Sequence, residues 1–155
     1  MSMTIRQKLA ALTITSALAA SILGCLGLWG ARKIEDTTEQ INVGLHAISN
    51  HMESDMMHDA LRGDVLAALY YAAIAPQRRS ELESEARDHA QNFRAKMAAN
   101  RELEMSAQVR AELAKAEPIL ELYIDSAERL VSLAFDSHER AAAELAAFSE
   151  RFSLL

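Results

Sequence analysis

The chain has 155 residues, half of them hydrophobic, with five glycines, two prolines and aromatic side chains at only 5%, a composition that suits an all-α protein packed by aliphatic side chains. A formal charge of −6 without any basic cluster argues against nucleic acid as a partner. The single cysteine, Cys25, rules out an intrachain disulfide, a cysteine metal cluster and a Cys-x-x-Cys-His haem attachment.

Residues 1–8 carry Arg6 and Lys8 and are expected on the cytoplasmic side. Residues 9–31 follow without a charged side chain. About 23 residues suffice for a helix to cross the roughly 30 Å of a bilayer core. Trp29 stands near the outer end, where an indole favours the interface. Arg32 and Lys33 come next and weaken the charge asymmetry. A cleaved signal peptide would have a shorter apolar core and a small-residue cleavage site. A lipoprotein signal would use Ile22-Leu23-Gly24-Cys25, yet the residues after Cys25 stay apolar. A membrane helix fits better, with Cys25 as a small apolar residue within it.

Residues 32–155 contain no linker-like stretch and read as one helical domain. The first helix is expected to run on from the membrane to Ala75, where Pro76 ends it. Along it Ile34, Ile41, Ile48, Asp55, Arg62 and Leu69 stand seven apart, interleaved with Leu45, Met52, Asp59, Leu66 and Ala73. Such a heptad stripe predicts a packing seam. A second helix is expected from Ser80, where Ser80-x-x-Glu83 has the form of a capping box, with Leu82, Ala86, His89, Phe93 and Met97 as its seam. Asn100 to Ser106 is the next turn, with Ser106 as N-cap.

The third helix has the seam Val109, Leu113, Ala116, Leu120, Tyr123, Ala127, Leu130 and Ala134, and Pro118 within it is expected to kink or break it. Asp136 or Ser137 caps a fourth, with the seam Ala141, Leu145, Phe148, Phe152 and Leu155. Short turns imply antiparallel neighbours. The expected fold is therefore a transmembrane helix continuous with an antiparallel up-down four-helix bundle. The fourth helix returns only to about the level of Arg62, so it is expected to be truncated.

The segments SDMMHDALRGDVLAAL (54–69) and FRAKMAANRELEMSAQVRAEL (93–113), set behind a membrane helix that runs straight into an outer one, resemble the N-terminal sensor region of bacterial methyl-accepting chemotaxis proteins. The likeness implies an inner-membrane protein whose residues 32–155 form a periplasmic sensor domain. It also implies a homodimer, a ligand bound in the outer bundle and a small displacement passed through the membrane. Related bundles also serve histidine kinases and diguanylate cyclases.

Charges on a packing seam destabilise unless paired or solvated, so Asp55, Asp59 and Arg62 need a reason. They stand at i, i+4 and i+7 on one face. A hairpin at Pro76 brings His58 and Asp59 towards Phe93 and Arg94, and Arg62 towards His89. One reading is an internal salt-bridge network that fixes dimer register. Another is a ligand site made of Asp55, His58, Asp59, Arg62, His89 and Arg94. There guanidinium would take a carboxylate and aspartate an amine, as for an amino acid or an organic acid. A third is a metal site at His51, Asp55 and His58, with Met52, Met56 and Met57 nearby as soft ligands. Haem held between His58 and His89 is a remote fourth. These residues call for no cofactor. No nucleophile with a placed base, phosphate loop or His-Glu-x-x-His occurs, which speaks against an enzyme.

Overall fold

The computed structural model describes residues 4–153. Among them run α1 (Ile5–Ile74), a 3-10 turn (Pro76–Arg78), α2 (Arg79–Glu102), α3 (Ala107–Asp136) and α4 (His138–Ser153), with no strand. The chain divides into two compact units, Met1–Asn42 and Val43–Leu155. In the first, the side chains of α1 are almost all exposed, Leu12, Leu18, Ile22 and Trp29 among them. The apolar stretch near the N-terminus is long enough to cross a membrane.

The second unit is a bundle. Asn50 meets Asn100, Glu53 meets Lys96 and Asp64 meets His89, so α1 and α2 run antiparallel about Pro76. Arg101 pairs with Glu117 and Arg79 with Asp136, which sets α3 antiparallel to α2. Arg129 with Glu144, and Tyr123 stacked on Phe148, do the same for α4 against α3. Phe152 of α4 returns to His58 of α1 and closes the ring. The core is made of Leu61, Val65 and Ala68 from α1, and Leu82, Ala86, Ala90 and Phe93 from α2. Tyr123, Ile124, Ala127, Leu130 and Val131 from α3 join Ala141 and Phe148 from α4.

Each turn has a local cause. Pro76 cannot continue α1, and Ala75 before it is extended (φ −149°). Ser106 caps α3 by accepting the Val109 N–H at 3.3 Å. Ser137 alone separates α3 from α4; its N–H donates to Leu133 O at 2.7 Å and its carbonyl accepts from Ala141 at 3.0 Å.

Several expectations are corrected. The capping box at Ser80 does not form, because the 3-10 turn feeds directly into α2 at Arg79 and leaves no non-helical residue there to cap. Glu83 pairs instead with Arg79 at 2.9 Å. Ala90, not His89, takes the inner position on α2, while His89 stays half-buried. Val109 is exposed and Leu113 only half-buried. α3 runs through Pro118 as one assigned helix, although the proline supplies no N–H to the ladder. Leu155 lies outside the described residues.

The largest correction concerns α1. Its core-facing stripe is Val43, Ala47, Asn50, Ser54, Met57, Leu61, Asp64, Ala68 and Tyr71, a second alternation of fours and threes whose members are all buried or half-buried. The stripe through Ile48, Met52, Asp55, Asp59, Arg62 and Leu66 is exposed, and meets the chain's own bundle only at its edges, where Arg62 lies over Phe152 and Asp55 rims a recess. The two are offset by two residues, about 200° around a helix, so they lie nearly back to back.

Candidate functional site

The inner stripe of α1 contains polar residues, and nearly all of them are satisfied by a neighbour. The Asn50 amide donates to Asn100 Oδ1 at 3.0 Å, and the Ser54 hydroxyl to Asn50 O at 2.8 Å. Asp64, almost fully buried, sits 2.7 Å from His89 Nδ1. Buried polar atoms without such partners are strongly penalised.

His58 departs from this pattern. Its ring is only 9% exposed and its Nε2 is buried without a hydrogen-bond partner. The ring stacks on Phe152 (centroids 4.2 Å, planes 5° apart) and tilts against Tyr123 (4.7 Å, 52°). The Tyr123 hydroxyl donates to the His58 backbone oxygen at 2.8 Å. Burial pulls the imidazole pKa below its ordinary value; Asp59 and then Asp55 oppose this, Arg62 adds to it, and the Phe152 backbone raises it. Burial likewise pushes the Tyr123 phenol up, with Asp59 adding to the rise.

Beside this aromatic cluster lies a recess of about 70 Å³ lined by His51, Ser54, Asp55, His58, Phe93 and Leu120. Further along the boundary of α1 and α2 is a groove of about 280 Å³ lined by Glu53, Met56, Met57, Asn92 and Lys96. The Lys96 ammonium lies 2.6 Å from Glu53 and, through its hydrogen bond, holds that carboxyl below the usual range.

The six residues expected to form one ligand site are distributed over several. Arg94 turns away from α1 and binds three carboxylates of α3: Glu121 at 2.9 Å, Asp125 at 2.6 Å and Glu128 at 3.0 Å. Burial alone would lower its pKa, but those bonds, led by Glu121 and Glu128, raise it. His89 belongs to Asp64, not to Arg62. Asp55 reaches the edge of the recess, and Asp59 is exposed on the outer face. Arg62 is exposed too, with its guanidinium 4.4 Å from the centre of the Phe152 ring, a cation–π contact.

Asp64 and the α3 carboxylates are partners that the sequence reasoning missed. The spacing Glu121-x3-Asp125-x2-Glu128 on one face of α3 was the available signal for the second. His51, Asp55 and His58 share the recess, yet no three His, Cys, Asp or Glu side chains among the described residues are grouped so as to hold a metal ion. His58 and His89 have different neighbours, with no common cavity to receive a haem.

A family model described as a four helix bundle sensory module for signal transduction matches residues 2–150. No curated protein and no solved structure matches the chain.

Proposed function

The chain belongs to this family of four-helix-bundle sensory modules for signal transduction, and on that premise we propose that it is the ligand-sensing input of a transmembrane chemoreceptor. In this reading residues 9–31 anchor it in the bacterial inner membrane, residues 32–155 lie in the periplasm, and the working unit is a homodimer. One observation carries the proposal. α1 presents outwards a heptad stripe of exposed apolar side chains, Ile48 (58% exposed) and Met52 (62%) among them, broken by Asp55, Asp59 and Arg62. A second copy would cover the apolar part as a helical seam. The charges would then line a polar gap between the copies, where a guanidinium holds a carboxylate and an aspartate an amine.

A ligand seated there stabilises one packing of the two α1 helices over another, and its differential affinity for the two limits the signal. Arg62→Ala is expected to abolish ligand-dependent signalling while leaving a folded helical dimer. An unchanged response in that variant rejects the site. A thermal-shift screen of the chain with amino acids and organic acids is expected to find a stabilising compound.

A bundle that only dimerises is the second reading. The complete pairing of Asn50, Asp64 and Arg94 favours it, because these groups need no ligand. Silence across the screen supports it. Whether the signal feeds chemotaxis, a histidine kinase or a diguanylate cyclase is decided by fusing the module to each output.

A further inference from the structure

We propose that His58 is a proton-responsive latch on α4: as a neutral imidazole it holds the Phe148–Phe152 stretch of α4 against α1 and α3, and on taking up a proton it releases that stretch. The proposal rests on the sensor reading for its purpose, since it gives the module a second input, acidity. The latch itself is tested without any ligand.

His58 joins three helices at one point. Its own backbone oxygen is held by Tyr123 of α3, and its ring lies flat on Phe152 of α4. Phe148, one turn earlier on α4, stacks on the same Tyr123 at 5.1 Å. This stretch of α4 is thus seated on an aromatic group with His58 at its centre. The buried Nε2 without a partner is the one polar side-chain atom of the described core left in this state. Buried polar groups are rarely unpaired without a reason.

Protonation acts against this packing. It strips the water shell from a cation and leaves it among apolar rings. The Arg62 guanidinium, 4.4 Å from the centre of the Phe152 ring, adds its repulsion against a charged His58. The charged and titratable groups around the ring are few. Asp55, Asp59 and Arg62 come from α1, with His51 on the recess rim. α2 contributes Phe93, α3 contributes Leu120 and Tyr123, and α4 contributes Phe152. Asp55 and Asp59 favour the proton, but both are exposed and screened by solvent. Burial outweighs them, so the docked imidazole holds its proton less tightly than a free one. The undocked state then binds more protons between the two pKa values. Docking is full above the ordinary imidazole value and is lost as the pH falls through the depressed one.

Hydrogen exchange of the full chain in detergent micelles, at about pH 7.5 and about pH 5 with correction for intrinsic rates, tests the latch. Protection of residues 144–153 is expected to fall at acid pH, by up to about tenfold for each unit separating the docked and free pKa values. Residues 82–97 of α2 are expected to stay protected. His58→Phe keeps the stack without the titration, so it should retain the protection seen at neutral pH and lose the fall. His58→Gln, polar and neutral, should be flat as well, and His51→Gln should still show the fall. Equal protection of α4 at both pH values overturns the proposal, as does a fall that persists in His58→Phe or His58→Gln. So does a magnetic-resonance titration placing His58 at or above the ordinary imidazole value. No ligand enters this experiment, so failure of the Arg62 site leaves it standing, and the reverse.

Discussion

The two faces of α1 between Val43 and Ile74 are built from the same heptad logic and meet opposite fates. The inner face, although it carries polar residues, is the buried one. It places Asn50, Ser54 and Asp64 between Met57, Leu61 and Ala68, and each polar member has a partner on the chain. The outer face has Leu45, Ile48, Met52 and Leu66, interrupted by Asp55, Asp59 and Arg62, and stays exposed. Hydrophobicity alone therefore does not say which face of a helix its own bundle takes. Small residues such as Ala68, Ala86 and Ala90, all buried in the core, and polar residues that find partners select the inner face as much as oiliness does.

Substitutions break or sharpen that contrast. Leu61→Ala, at a fully buried position, should lower the unfolding free energy by about 2–5 kcal/mol in denaturant titration. Leu66→Ala, on the outer face, should change it by less than about 1 kcal/mol at concentrations where the chain is monomeric. If the outer stripe is a dimer seam, the same variant weakens self-association in analytical ultracentrifugation. Asp64→Ala strands the His89 ring half inside the bundle and should cost about 1–3 kcal/mol. Tyr123→Phe removes only the bond to the His58 carbonyl and should cost about 1 kcal/mol. Arg62→Ala loses an exposed cation–π contact worth about 0.5–1 kcal/mol, far less than its proposed effect on signalling. Glu81→Gln, at a solvent-facing ion pair with Arg78, should leave the melting temperature unchanged.

Much of the fold was legible. Pro76 ends α1, Ser106 caps α3, the seam of α3 from Tyr123 onward is buried as its periodicity requires, and on α4 Ala141 and Phe148 are buried with Leu145 half-buried between them. What misled was a helix with two stripes of the same spacing, each mixing apolar and polar residues. A stripe containing Asn50, Ser54 and Asp64 scores poorly until its partners Asn100 and His89 are known, and these stand on another helix. The candidate site was less legible for the same reason. Asp55, Asp59 and Arg62 were correctly placed together on one face, but which neighbour that face meets is not written in the spacing. Arg94 could be assigned to α1 or α3 from register alone, and the three carboxylates of α3 decide it. His58 sits between the two stripes, and only tertiary packing turns that borderline position into a buried one.

Ser137 has a mechanical meaning. A single residue, bonded on both sides, leaves the elbow between α3 and α4 no slack, whereas four residues, Leu103 to Ser106, span the joint between α2 and α3. Pulling α4 lengthwise must drag the end of α3 with it.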